Sequence, residues 1–225
     1  MRNPWLDLPH TSPFVLADDM EAIEAFNTTA TDAVRIHVEL LPEPFLGDPH
    51  APIVLLGLNP GFSPEDIPHH SDPTFAHLLR LNIAHGQSDF PFYLLNPRIA
   101  GPGQKWWERR LSRLLEVAPR ETIAKKLLNI EYFPYHSDRF AHHRLRVASQ
   151  DYGFFLVREA VHRGALVILM RGHRLWFSAV PELATYGRLF TLRSVQNTTI
   201  SRKNCPEGFE EVLAVLDEPA QLGFG

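Results

Sequence analysis

Cysteine is nearly missing from this chain: its 225 residues include one, Cys205. That excludes an internal disulfide framework, a four-cysteine zinc site and a cysteine-ligated iron–sulfur cluster within one chain, and Cys205 reads as a structural thiol. Long apolar runs are missing as well. None approaches the roughly 20 residues that a bilayer-spanning helix needs, so no membrane partner is expected. The opening Met1-Arg-Asn-Pro-Trp-Leu-Asp-Leu-Pro9 has no apolar signal region and carries an early acid. It predicts neither a secretory nor a transit peptide and makes a cytoplasmic location the expectation. There is little excess charge of either sign: a formal net charge of −4 and a pI near 6.3 supply no global attraction to nucleic acid. A local basic patch stays open. The twelve histidines include two adjacent pairs, His69 with His70 and His142 with His143, and neighbours on a helix or strand point different ways. No recognised metal-ligand spacing is present, and neither a metal nor an organic cofactor is implied.

What is present is the composition of an ordinary globular domain, 44% apolar and 21% charged, in a length that fits one domain with a real core. Four short apolar runs, Pro52–Gly57, Leu127–Phe133, Ala165–Met170 and Leu189–Val195, predict strands. Between them lie helical patterns: Trp107, Leu111, Leu114, Leu115 and Ala118 form one stripe, and Leu145, Ala148, Tyr152, Leu156 and Ala160 another. A closing helix is expected from Pro206, with proline in its first turn. Near-continuous apolar strands separated by helices indicate a parallel sheet covered on both faces. The predicted fold is therefore α/β, a three-layer α/β/α sandwich around a mainly parallel four-stranded sheet. Residues 1–48, with an amphipathic segment at Asp18–Val38, are expected to cap a single domain spanning 1–225. The segment Ser63–Asn96 is long for one strand-to-helix connection and predicts a lid or ligand loop.

The most informative stretch is Pro52-Ile-Val-Leu-Leu-Gly-Leu-Asn-Pro-Gly-Phe62, an apolar strand running into a turn with a carboxamide at its apex. Asn59 is thereby set at the carboxyl end of a buried strand, where open α/β sheets bind ligands. Taken alone, an Asn-Pro-Gly triplet is also plain turn chemistry. Three further polar elements end the other strands: Asn129 with Glu131 in Leu127–Phe133, Arg171 after Met170, and Gln196-Asn-Thr-Thr-Ile-Ser-Arg202 after the last run. Asn129 among apolar neighbours must find partners or cost about 1–3 kcal/mol. Arginines 109, 110, 113, 139, 144, 146, 171, 174 and 202 with Lys203 either gather on one face or scatter over a solvated surface.

This order of elements resembles the uracil-DNA glycosylase superfamily, most closely its mismatch-specific branch, over roughly residues 50–217. Gly57-Leu-Asn-Pro-Gly61 is similar to that branch's first motif, which implies that Asn59 positions the attacking water, with Gly57, Leu58, Gly61 and Phe62 among the substrate-binding positions. Asn197-Thr-Thr-Ile-Ser-Arg202 resembles the second motif. By that likeness Asn197 contacts the transition state, Ile200 wedges into the base stack, and Thr199, Ser201 and Arg202, with Arg171, contact DNA. Phe92 resembles the ring on which a flipped base stacks, Asn129 the base-reading amide, and His136 is a candidate acid in the pocket. The second motif departs from the family pattern in having Thr198 and Thr199 where proline and serine stand, and it has no histidine. The chemistry also follows from first principles: breaking an N-glycosidic bond creates a sugar cation and an anionic base, so neutral donors and a held water are needed. The expectation is a DNA glycosylase acting on a deaminated or damaged base, with duplex or single-stranded DNA as partner. Two alternatives stay open, a non-catalytic nucleobase or nucleic-acid binding protein and a hydrolase of small nucleosides.

Overall fold

The computed structural model describes residues 1–218. Five strands form one mixed sheet in the order β1-β3-β2-β4-β5, with β1 at Phe45–Gly47, β2 at Ile53–Leu56, β3 at Leu127–Ile130, β4 at Leu166–Leu169 and β5 at Leu189–Thr191. β3, β2, β4 and β5 run parallel, and Leu55 of β2 lies in register with Asn129 on one side and Ile168 on the other. Every residue of β2, β3 and β4 is buried. These strands read as unbroken apolar runs because both sheet faces are covered and alternation has no solvent side to mark. β5 stops at Thr191 rather than Val195, since the Arg193 N–H turns away to the Asn204 carbonyl at 2.8 Å.

The expected count of four strands is corrected by β1, which pairs antiparallel with β3. It lies in the proline-rich stretch assigned to the cap, and three residues are too few to show a period. Gly47 makes this pairing feasible. Its φ is 113°, and a Cβ there would sit 2.1 Å from the Leu127 carbonyl oxygen. The N-terminal segment is also tied into the core: Asp19, fully buried, accepts hydrogen bonds from the Tyr135 hydroxyl at 2.7 Å and the Ser149 N–H at 3.0 Å.

The helices among the described residues are α1 (Ala17–Thr29), α2 (Asp66–His70), α3 (Pro73–Ile83), α4 (Pro102–Arg110), α5 (Ser112–Leu115), α6 (Arg120–Lys126), α7 (Gln150–His162), α8 (His173–Ala179) and α9 (Pro206–Asp217). Trp107, Leu111 and Leu114 are buried as their stripe predicts, but the helix is broken at Leu111 into α4 and α5. α7 starts at Gln150 and leaves Leu145 and Ala148 outside it, since the Gln150 side chain accepts from the Val147 N–H at 3.0 Å and closes the entry turn. Among the described residues no helix is long and apolar enough to cross a membrane.

The strand order places the functional region. From the central β2 the chain passes to β3 on one side and then to β4 on the other. Connections therefore diverge above the carboxyl end of β2 and open a crevice there. The residues that follow the three central strands, Gly57–Asn59, Glu131 and Arg171, reach the same edge.

Candidate active site at the carboxyl edge of the sheet

The turn after β2 is held by its backbone. The Gly57 N–H donates to Ile130 at 2.9 Å, the Gly57 carbonyl accepts from the buried Trp176 indole N–H at 2.7 Å, and the Leu58 carbonyl accepts from the Phe133 N–H at 2.9 Å. Asn59 is anchored through its nitrogen: Nδ2 donates to the Pro60 carbonyl at 2.8 Å and to the Ser137 hydroxyl at 3.0 Å. Its Oδ1 makes no hydrogen bond among the described residues and is the atom left to accept one from a ligand or water.

Asn59 lines a cavity of about 550 Å³ together with Gly61, Phe62, Glu43, Glu131, His70, His136 and Arg171, a volume within the usual range for a small-molecule site. The long 63–96 connection builds one wall. It folds into α2 and α3, which contribute Asp66, His69, His70 and Phe75. Leu58 and, from α4, Trp106 and Arg109 complete the rim.

Glu131 is the chemically distinctive group on that wall. Asn129, fully buried, donates through Nδ2 to Glu131 Oε1 at 2.9 Å, while Asn129 Oδ1 and Glu131 Oε2 have no partner. Burial pushes the Glu131 carboxyl up to about 7; the Asn129 hydrogen bond opposes this, Glu43 adds to it and Arg171 opposes it. Glu43 is raised by the same burial, against the influence of His136 and of the Tyr93 hydroxyl, which donates to it at 2.6 Å. Burial, with His136 and His69 nearby, drives His70 down to about 2. His70 is thus a neutral imidazole, and its Nδ1 has no partner. The cavity presents a carboxyl that titrates near neutrality, a free carboxamide oxygen and a neutral imidazole. Among the described residues no three His, Cys, Asp or Glu side chains form a group able to hold a metal ion.

Several expected roles are not met by the geometry. Phe92 is completely buried, packs edge-on against Trp107 with ring centroids 4.9 Å apart, and does not line the cavity. Its neighbours Tyr93, Leu94 and Leu95 share the same core, so the ring belongs to packing rather than to a stacking platform. Phe62 is half-buried on the cavity wall, backed by the His37 ring at 3.5 Å and 13°. Asn129 lies behind the wall and acts on Glu131 instead of on a ligand. His136 lines the cavity, but its ring nitrogens face the Gly61 and Leu41 carbonyls at 2.7 and 3.1 Å, which makes it a brace between those segments.

The loop carrying the second motif is also displaced from the cavity. Asn197 is exposed, and its Oδ1 accepts from the Thr199 hydroxyl at 2.8 Å. With Thr199, Ser201 and Arg202 it lines a separate groove of about 470 Å³. Ile200 is completely buried and its N–H donates to the Arg110 carbonyl at 3.0 Å, so no aliphatic wedge projects. Arg202 is held in an ion pair with Glu210. In the sequence Glu131 is marked only by its period-two spacing from Asn129. Glu43 and His70 carried no such signal, because their importance comes from burial. Comparison of the chain with protein-family models, with curated proteins and with solved structures finds no match in any of the three.

Proposed function

We propose that this three-layer α/β/α protein hydrolyses the N-glycosidic bond of a deaminated or damaged base in DNA. One observation carries the reading: Asn59, fixed through its nitrogen with its oxygen free, shares a cavity with a carboxyl poised near pH 7. The carbon–nitrogen bond breaks first and its electron pair leaves with the base; a water held by Asn59 Oδ1 then bonds through its oxygen to the cationic anomeric carbon, and ionised Glu131 takes the water's proton. A weak base suffices because the sugar becomes cationic before attack. His70, neutral and unpartnered, gives the departing base a donor that needs no change of charge.

Labelled oligonucleotides containing uracil, hypoxanthine or ethenocytosine, in single strand and duplex, then treated with alkali, test this directly. Asn59→Ala is expected to slow strand breakage by about 10²–10³-fold, the range for loss of one positioned polar group, with binding little changed. Binding without breakage by the unaltered protein across the panel would instead establish a non-catalytic binding protein.

Phe62 takes the stacking role. Phe62→Ala should weaken binding of such an oligonucleotide by about 5- to 150-fold, the range for one base–aromatic stack. Phe92→Leu should lower the melting temperature and leave affinity unchanged. Equal affinity losses in the two variants would return the stacking role to Phe92.

The wall built by α2 and α3 supports a second reading, a hydrolase of free nucleosides or nucleotides over which this segment closes. Base release from a mononucleoside at the rate seen in an oligonucleotide would select it.

A further inference from the structure

Three cations, Lys105, Arg109 and Arg171, line the cavity, and Arg110 lies close beside them. Lys105, Arg109 and Arg110 belong to α4, and Arg171 follows β4. Among the described residues none of the four takes part in an ion pair, whereas Arg2, Arg113, Arg120, Arg146, Arg158, Arg188 and Arg202 each have a carboxylate within reach. Arg110 is held below the usual guanidinium range by burial and then by Arg171 and Arg109, so these charges are close enough to repel one another. A cluster of like charge whose members are not held in ion pairs attracts anions.

An aromatic ring is set among these cations. Successive positions on a helix diverge by about 100°, so Lys105, Trp106, Arg109 and Arg110 share one arc of α4 while Trp107 turns inward. Trp107 is 4% exposed. Trp106 stays half-exposed on the cavity rim, with the Arg110 guanidinium 4.9 Å from its ring. Cations interleaved with a partly exposed aromatic form the kind of surface that tracks a strand backbone and stacks its bases. The element expected to open a duplex does not project, because Ile200 is completely buried.

We propose that α4 and Arg171 form a docking surface for single-stranded nucleic acid, with a base stacked on Trp106 and the flanking phosphates on Lys105, Arg109 and Arg171. The surface rests on the glycosylase reading only in leading the strand to the cavity. It explains how a protein with an acidic net charge and no projecting wedge would receive its substrate: the strand arrives already unpaired.

The test is fluorescence anisotropy with labelled oligothymidylate of about 12 nucleotides, single-stranded or annealed to its complement, measured in the Asn59→Ala background so that chemistry does not intervene. The single strand should bind at least about tenfold tighter than the duplex. Neutralising three or four phosphates predicts that raising salt from 50 to 200 mM weakens single-strand binding by about 20- to 50-fold. Trp106→Ala should cost about 5- to 150-fold and Trp106→Phe much less. Arg109→Gln, an exposed change that spares packing, should flatten the salt dependence even if Trp106→Ala fails to fold. Duplex binding equal to or tighter than single-strand binding, or Arg109→Gln with an unchanged salt slope, would overturn the proposal. Single-strand binding by a protein that releases no base would sink the glycosylase reading alone, whereas equal base release from both forms with no single-strand preference in binding would sink this one alone.

Discussion

Replacing Glu131 with glutamine is expected to abolish most activity and to stabilise the protein at alkaline pH. The carboxyl lies near 7 in the folded protein against 4.5 as its ordinary value. Because the folded state holds the proton more tightly, this group's contribution to stability is complete below about pH 4.5 and is lost as pH rises through 7. Above that pH, keeping an ionised carboxylate in this wall costs on the order of 3 kcal/mol. Glu131→Gln, neutral at every pH, removes that cost. Denaturant titrations should show the variant more stable than the parent by about that amount at pH 8 and close to it at pH 4.5. Glu43, also raised by burial, keeps part of the pH dependence in both proteins. In the activity assay the same change should lower the rate by about 10²–10⁴-fold, the usual yield of a positioned proton-transfer group. A stability curve whose pH dependence is identical in parent and variant would show that Glu131 is ionised and solvated at neutral pH, and would remove it from the mechanism.

The second large effect is expected one strand away. A Cβ on Gly57 would lie 2.2 Å from Glu131 Oε2 and 2.6 Å from its carboxyl carbon. Gly57→Ala therefore leaves β2 free to form and pushes the Glu131 carboxyl from its place, since the end of a side chain yields more easily than backbone. Asn129 then loses the acceptor of its 2.9 Å hydrogen bond, and a fully buried amide left without a partner costs about 1–3 kcal/mol. Activity should fall nearly as far as in Glu131→Gln, and the near-neutral titration should disappear from the pH–rate profile. Because both changes act on one carboxyl, the double variant should be little worse than either single one. Multiplying losses in the double variant would mean that Gly57 acts on the reaction independently, through the backbone of the Asn59 turn.

These two predictions mark how far the site was readable. The Gly57–Phe62 turn stood out because it sets a carboxamide at the carboxyl end of a buried strand, although Asn-Pro-Gly is also plain turn chemistry, and the structure puts Asn59 at the cavity. The role of Glu131 was not readable: a strand-end acid is usually solvated, and here burial in the folded protein, with Glu43 beside it, raises its pKa. Phe92 and Ile200 failed for opposite reasons. Phe92 sits in an apolar cluster whose letters do not say which ring faces the cavity. Ile200 sits in a polar loop, reads as a projecting side chain, and instead turns inward beneath Arg110.

By itself the sequence determined the α/β class, the four parallel strands and the turn that carries Asn59, because apolar runs and turn chemistry are written at short range. The antiparallel edge strand β1, the convergence of Asn59, Glu131, His70 and Arg171, and the removal of Asn197 to another groove were decided by the tertiary structure. Strand order and the packing of the 63–96 segment join parts far apart in the chain, and a carboxyl's proton affinity depends on everything packed around it.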